Sequence, residues 1–596
     1  MKKIFALIAL ILAALALASC NMDFYSSDSM TSAQLAENPS SAVYTTDGIY
    51  TLFKDRIAYK GQSGGESGNY YIRHYFQLAE LRGDNVTVSG KSEDPFTDAY
   101  MYAENPTTKN IYYTWWIAYK IINAANSNIE AIVPGASALS DHLLGENYFF
   151  RALMHFQLST LFSMPYAQGR DNPGIVLRQN LDISTTQRST VGEVYDAVVA
   201  DLIEAKKYLA NGENERIKGG SKVYVSLDAA TALLSRVYLY MGENEKCITE
   251  CNELLGHAPS SVTSGYDFAD YPTHTYDHPE TIWCIRLDNN DDWAGEHAEA
   301  SIASMYIKDV NGWGEHYWRE DLIDNFRRYP EDKRFAAYFS MPEYVTADNK
   351  HPGYVETNKV TVVFPIKTND KTKSCSDGFS TDNTVQADGT VNFTYQSKKY
   401  TAVPKVVNTY TEYYVEDASF PGVKTDGKAR VFIRPNITRA KGIRNNMGGD
   451  YMIYYCSKFS YQDGLPMMTS PVFLRWGEVV LNRAEAYAKT GKEAQALDDV
   501  NTIRKRAGLS GDALMTSANI KERGYDDALS CVLDERRREL CYEGHRMFDV
   551  FRNKLPMDRR FVGCHDWEVM QPNDPRIALL LPLDEINSSG IPQNQR

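Results

Sequence analysis

Two helical hairpins written in one register, 249 positions apart, constrain this chain more than any other feature. From Phe473 to Lys489, Leu474, Gly477, Leu481, Ala484 and Ala488 recur at spacings of 3, 4, 3 and 4. That spacing sets them along one face of a helix. Thr490-Gly491 follows, and glycine supplies the left-handed residue that ends a helix. A second helix is expected from about Glu493 to Arg506, with Leu497, Val500 and Ile503 inward and a stop at Gly508. So short a turn makes the two helices antiparallel over a shared core. Ala229 to Leu255 repeats the pattern. Tyr238 falls on Tyr487, Gly242 on Gly491, Cys247 on Ala496, Cys251 on Val500 and Leu254 on Ile503. The shared register makes Cys247 and Cys251, which at i and i+4 resemble a metal or disulfide pair, small core residues at a helix contact. The chain shows no C-x-x-C pair and no Cys/His ligand spacing, so no metal is expected.

The helical pattern extends upstream. Trp115 to Ile129 is apolar on one side, and Leu144 to Phe162 ends at Met164-Pro165. Val191 to Leu209 carries Val194, Val198, Leu202 and Ala205 inward, with Thr190 as N-cap. Each hairpin resembles a tetratricopeptide (TPR) unit, whose period is ~34 residues. Residues 41–260 therefore read as an N-terminal helical scaffold, 261–470 as a loop-rich variable region and 471–596 as a C-terminal helical region. The first twenty residues are an address. Lys2 and Lys3 precede an apolar run from Ile4 to Ala18, about 15 residues where a span needs ~20. It ends in Leu17-Ala18-Ser19-Cys20, which resembles a bacterial lipoprotein signal with Cys20 as the acylated residue. Residues 21–40 are polar and Ser-rich, suited to a flexible tether. Asp23 and Asp28 are similar to the acidic surface-export signals of Bacteroidota lipoproteins. The expected location is the outer membrane, lipid-anchored at the cell surface.

The net charge of −14 argues against nucleic acid, which needs a basic stripe. In the variable region helical periodicity gives way to Gly, Asn, Asp, Thr and Tyr. Short strand-like runs appear at Thr281 to Leu287, Lys359 to Phe364 and Val431 to Ile433. Asp291-Asp292-Trp293, and Tyr306 with Asn311-Gly312-Trp313-Gly314, have the composition of a sugar site. There an indole stacks on a C–H face and amide or carboxylate groups bond hydroxyls. Trp293, Trp313, Tyr306, Asn311 and Asp292 are the candidate contacts, while Trp318, ahead of an amphipathic helix, is read as core. Asp288 to Glu299 has acidic spacing like a calcium loop, but Trp293 stands where such a loop needs glycine. The dense segment Glu535 to Arg552 offers Glu535, Glu539, Glu543, Asp549 and His545 as acid/base groups. They sit among Arg536, Arg537, Arg538 and Arg546 on one expected helix, where a structural ion network is the better reading. No catalytic residue is assigned.

The segments GENYFFRALMHFQLSTLFSMPYAQGRDNPGIVL, VYDAVVADLIEAKKYL, SLDAATALLSRVYLYMGEN, FLRWGEVVLNRAEAYAKTG, ERRRELCYEGHRMFDVFR and ALLLPLDEINSSGIPQNQR stand in that order behind the lipoprotein signal. Together they resemble the SusD/RagB family of outer-membrane nutrient-binding lipoproteins. Two departures are the loop after Met164-Pro165-Tyr166 and a C-terminus that lacks a final aromatic residue. The resemblance implies a mainly α fold, an α–α superhelix of TPR-like hairpins with irregular loop and short-strand insertions. It implies a SusC-like TonB-dependent transporter as partner, an oligosaccharide ligand, no cofactor and no catalysis. It also places a ligand loop after the first helix, which adds Tyr70, Asp84 and Asn85 as contacts. Alternatives are peptide capture on the same scaffold, a surface glycosidase with two carboxylates in one cleft, and a purely structural TPR adaptor.

Overall fold

The structure is a computed structural model that describes residues 41–54, 70–88, 92, 94–184, 186–211, 216–288, 301–306, 314–340, 356–365, 376–382, 386–407, 410–420, 429–437, 454–459, 461–465, 467–561, 565–566 and 568–596. The N-terminal part is helical throughout: α1 (Ser41–Lys54), α2 (Tyr71–Leu81), α3 (Phe96–Tyr100), α4 (Lys109–Ala131), α5 (Ala138–Phe162), α6 (Val191–Leu209), α7 (Leu227–Met241) and α8 (Asn244–Leu255). The strand β1 (Val86–Val88) interrupts it. α4, α5 and α6 pack in succession, as do α7 and α8. Thr190 caps α6 in a full capping box with Glu193. At the close crossing of α5 and α6, a Cβ on Gly145 would lie 2.6 Å from Leu209, so only glycine fits.

The C-terminal part contains α11 (Trp476–Lys489), α12 (Glu493–Arg506), α13 (Ala528–Glu539), α14 (Arg546–Arg552) and α15 (Leu583–Ser589), numbered after α9 (Glu320–Arg327) and α10 (Lys333–Tyr338) of the middle. The register equivalence of the two hairpins is physical, because α8 packs on α11. Cys247 and Cys251 are fully buried there, with Cys247 Sγ 3.8 Å from the carbonyl of Asn482. Gly242 and Gly491 both take the left-handed conformation (φ 78° and 76°) that closes each turn. One continuous apolar core joins residues from Ile49 to Ile591.

Two segments differ from expectation. Phe473 to Arg475 belongs to a strand, so the helix begins at Trp476. The strand β12 (Val472–Arg475) pairs antiparallel with β2 (Thr281–Cys284). This carries Trp283 to the middle of the core, 5.0 Å from the ring of Phe473 and 5.1 Å from that of Phe149. The segment from Glu535 to Arg552 is two helices rather than one. It breaks at Tyr542 and Gly544, both at positive φ. A Cβ on Gly544 would stand 2.9 Å from that of Ala79, and its N–H donates to Glu80 Oε2 at 2.9 Å. Contact with α2 therefore dictates the break.

The expected strand-like runs are present, and most of them join a larger sheet. β5 (Glu356–Pro365), β6 (Ser376–Asp382), β7 (Val391–Tyr395), β8 (Lys398–Val407), β9 (Tyr410–Val415) and β10 (Ala429–Ile437) form six antiparallel strands in the order β6-β5-β10-β9-β8-β7. A small core of Val391, Phe393, Tyr400, Ala402, Val415, Phe420 and Val431 covers one face. Trp318, in β3 (His316–Trp318), is buried at 1 % exposure, as expected of a core residue.

If Trp283 is the strut between the two helical parts, Trp283→Ala lowers stability by about 3–5 kcal/mol, the usual cost of emptying an aromatic core site. Chemical denaturation read by circular dichroism checks this. An unchanged midpoint contradicts it.

Candidate functional site

The variable-region loops of interest are anchored on a scaffold that the described residues show in detail. Trp293, Asp292, Asn311, Trp313 and Cys20, together with the 289–299 part of the calcium-like loop, lie outside the described residues. The attachment points of their loops do not. Leu287 donates its N–H to Ser470 Oγ at 3.0 Å, and its carbonyl accepts from Gln462 Nε2 at 2.9 Å. Ser301 Oγ donates to the carbonyl of Met467. Glu315 N donates to the carbonyl of Met305 at 2.9 Å. The loop bearing Trp293 thus leaves and re-enters at the 461–470 segment. The loop bearing Trp313 begins one short 3-10 turn later, after Ile302–Met305. The two aromatic loops share a root.

Four expected contacts are corrected by burial. Tyr306 is 1 % exposed. Its ring lies edge-on to Tyr542 at 4.8 Å and 5.7 Å from the ring of His316. Tyr70 is 2 % exposed at the start of α2. Asp84 accepts from Arg546 Nε at 2.6 Å and Nη2 at 3.1 Å. Burial would raise its pKa, but Arg546, Arg537 and Arg319 outweigh that and hold the carboxyl far below the usual range. Asn85 donates to Glu80 Oε1 at 2.9 Å and accepts from Arg537 Nε at 2.8 Å. Asp84 and Asn85 tie the end of α2 to the α13–α14 segment, Tyr306 packs on Tyr542, and all four side chains are buried.

The carboxylates of the charge-dense segment are equally committed. Glu539 Oε1 accepts from Arg475 Nη1 at 2.8 Å and Arg506 Nη2 at 2.6 Å, and Oε2 from Arg334 Nη1 at 3.0 Å. Glu535 meets Arg334 at 2.8 Å, Arg504 at 2.8 Å and Arg538 at 2.9 Å. Glu543 meets Arg475 at 2.7 Å and also Lys458. Glu280 joins from β2's leading edge, pairing with Arg475 and Arg506 at 2.8 Å each. All these side chains are buried. For Glu535 and Glu543 burial favours protonation, yet the surrounding cations hold both down to about 2. A general acid needs a pKa near the working pH and a path to substrate. Glu535 and Glu543 have neither, and Glu539 and Glu280 are buried in the same pairs, so this is a structural ion lattice.

Asp270, His274 and His278 bring ligand-type atoms within 4.8 Å of one another, but their hydrogen bonds oppose metal ligation. The N–H of Glu280 donates to His278 Nδ1 at 3.0 Å. That leaves the ring proton on Nε2, where a metal would need a lone pair. His274 Nε2 faces Asp270 Oδ2 at 3.3 Å, closing the group on itself.

Comparison with known proteins assigns the class. The profile of the SusD family matches residues 279–577, half of the chain. A second profile, described as starch-binding associating with outer membrane, matches residues 68–239. The chain belongs to the SusD family. SusD-like protein P38 of Formosa agariphila is 22 % identical over 510 residues, 82 % of this chain and 81 % of that one. SusD-like protein P2 of the same organism is 25 % identical over 493 residues, 80 % and 79 % of the two chains. A SusD superfamily structure from Bacteroides thetaiotaomicron superposes with a TM-score of 0.62 at 22 % identity, covering 94 % of this chain and 99 % of that one. A laminarin-binding SusD-like protein superposes with a TM-score of 0.56 at 18 % identity, covering 94 % and 99 %.

The buried groups fix a pH dependence. Burial pushes His545 down to about 4 and His155 and His316 down to about 3. Unfolded histidine protonates near pH 6.5. Stability is therefore full above pH ~6.5, and each histidine withdraws up to about 1.4 kcal/mol per pH unit as pH falls toward its folded value. The depressed carboxylates add a loss from pH ~4.3 down to about 2, again because the unfolded state takes up protons first. Denaturant midpoints are expected to be level from pH 7 to 8.5 and to fall steeply from pH 6 to 4. A level profile across both ranges contradicts the assignment.

Proposed function

We propose that this protein is a cell-surface glycan-binding lipoprotein, anchored through Cys20, that captures oligosaccharides and hands them to a SusC-like TonB-dependent transporter. SusD-family profiles matching both the N-terminal helices and the C-terminal half carry this reading. The starch-binding, outer-membrane description of one profile and the laminarin-binding relative of the same fold support a saccharide as ligand. The lipobox-like Leu17-Ala18-Ser19-Cys20 supports the anchor.

Capture is assigned to the variable-region loops, with Trp293 and Trp313 stacking on sugar rings and Asp292 and Asn311 bonding hydroxyls. Their common root supports placing them at one site. Recognition by stacking and hydroxyl bonds requires no bond breaking, and a carrier must release what it binds. Titration calorimetry against a panel of oligosaccharides, starch and laminarin fragments included, tests the reading. At least one oligosaccharide is expected to bind and to be recovered uncleaved. Trp293→Ala and Trp313→Ala are each expected to weaken binding roughly two- to twelve-fold, the worth of one aromatic contact. Cleavage products, or affinity unmoved by both substitutions, contradict it.

A further inference from the structure

We propose that the cavity between α4 and the 176–183 loop binds a single neutral sugar ring, at a site distinct from the variable-region loops. The saccharide class rests on the glycan reading above; the existence of the site rests on the cavity itself. The cavity has a volume of about 200 Å³. A void of ~150 Å³ already accommodates a benzene ring, so one six-membered ring fits.

Its walls are built before any ligand arrives. Tyr119 Oη donates to the carbonyl of Val176 at 2.7 Å. Asn126 Nδ2 donates to the carbonyls of Arg178 and Asn180 at 3.2 and 2.9 Å. Arg151 Nη1 donates to the carbonyl of Gln179 at 2.7 Å, and Leu181 N donates to Glu130 Oε1 at 3.1 Å. Five hydrogen bonds with helical residues, one donated by the loop's own Leu181 N–H, thus fix a loop that has no secondary structure of its own. Preorganisation of this kind removes the ordering cost of binding.

The lining has the composition a sugar ring requires. Ile122 and Val176 make a buried apolar floor, and Ile183 stands at the rim. At 77 % exposure, Ile183 is the most exposed large apolar side chain among the described residues. A C–H face laid against Ile183 at the mouth would cover it. Polar capacity is left over around that floor. Among the described residues Asn123 makes no side-chain hydrogen bond, and the Arg178 guanidinium uses Nη1 alone, on the carbonyl of Asp182 at 3.2 Å. Among the described residues each Glu585 side-chain oxygen accepts a single bond, one from Trp115 Nε1 at 3.3 Å and one from Ser589. Hydroxyls both donate and accept, so they can use the carboxylate, the guanidinium and the amide together.

The test is calorimetric titration of the full chain with the methyl glycosides of glucose, galactose and mannose. At least one is expected to saturate a single site. Asn123→Ala combined with Arg178→Ala, both outside the core, is expected to weaken that binding about tenfold or more, the worth of two hydrogen bonds. Ile183→Trp, which fills the mouth, is expected to abolish it, while Trp293→Ala and Trp313→Ala leave it unchanged. The proposal is overturned if no glycoside saturates, if the double variant binds as the parent does, or if free amino acids fill the cavity and sugars do not. Retained oligosaccharide binding by the double variant, with no glycoside binding by the parent, overturns the cavity alone. Failure of every saccharide, short or long, overturns the glycan reading with it.

Discussion

Arg475 is the residue on which distant parts of this chain converge. Its guanidinium reaches Glu280 ahead of β2, Glu539 at the end of α13 and Glu543 in the break before α14, at 2.7–2.8 Å. Arg506 closes the lattice from α12, and Arg334 extends it into α10. Taking so many charges out of water is costly, and only mutual pairing with complete hydrogen bonding offsets it. Removing one partner would therefore leave the others buried and uncompensated. The lattice accounts for Gly477 as well: a Cβ there would lie 2.6 Å from the guanidinium nitrogens of Arg475 and Arg506 and 2.8 Å from Glu280. The second position of α11 is glycine because cations and a carboxylate fill the space a side chain would need.

The lattice also explains how a variable region can be carried on a helical scaffold. Glu280 and Trp283 belong by sequence to the loop-rich middle, yet they sit in the ion lattice and the aromatic core. The segments that bracket the aromatic loops inherit that rigidity through Gln462, Ser470 and Ser301. Segments bracketed so firmly can change in sequence without disturbing the scaffold. The cavity beside α4 follows the same logic at smaller scale, with a loop pinned by helical side chains and its own side chains left available.

How much of this was legible depends on the distance over which each feature is decided. Helix faces, the N-cap at Thr190 and the hairpin register are local or repeated, and they were readable. The register also turned Cys247 and Cys251 into packing residues correctly. The break at Tyr542-Gly544 was not readable, because its cause, contact with Ala79 and Glu80, lies more than 460 positions away. Asp84 and Asn85, placed in a ligand loop by the resemblance, were misassigned for the same reason. Their partners Arg319, Arg537 and Arg546 come from other segments. A run of three arginines in an acidic chain was the available signal, since buried guanidiniums demand acceptors elsewhere. Tyr306 was misread because an aromatic beside polar loop residues looks exposed, whereas it packs against Tyr542. The strands were visible singly, but pairing them into a six-stranded sheet required knowing which ends meet. Nothing in the sequence connects Asn123 with Glu585.

The central claim is that the charge-dense segment holds the scaffold together while ligands are met elsewhere. The most direct test is Glu539→Ala, assayed for unfolding free energy and, on folded protein, for oligosaccharide affinity. Removing that carboxylate leaves Arg334, Arg475 and Arg506 short of a buried partner, which typically costs about 3–5 kcal/mol. The account predicts a stability loss of that order with oligosaccharide affinity unchanged. Undiminished stability together with lost binding would contradict it and return the segment to the ligand site.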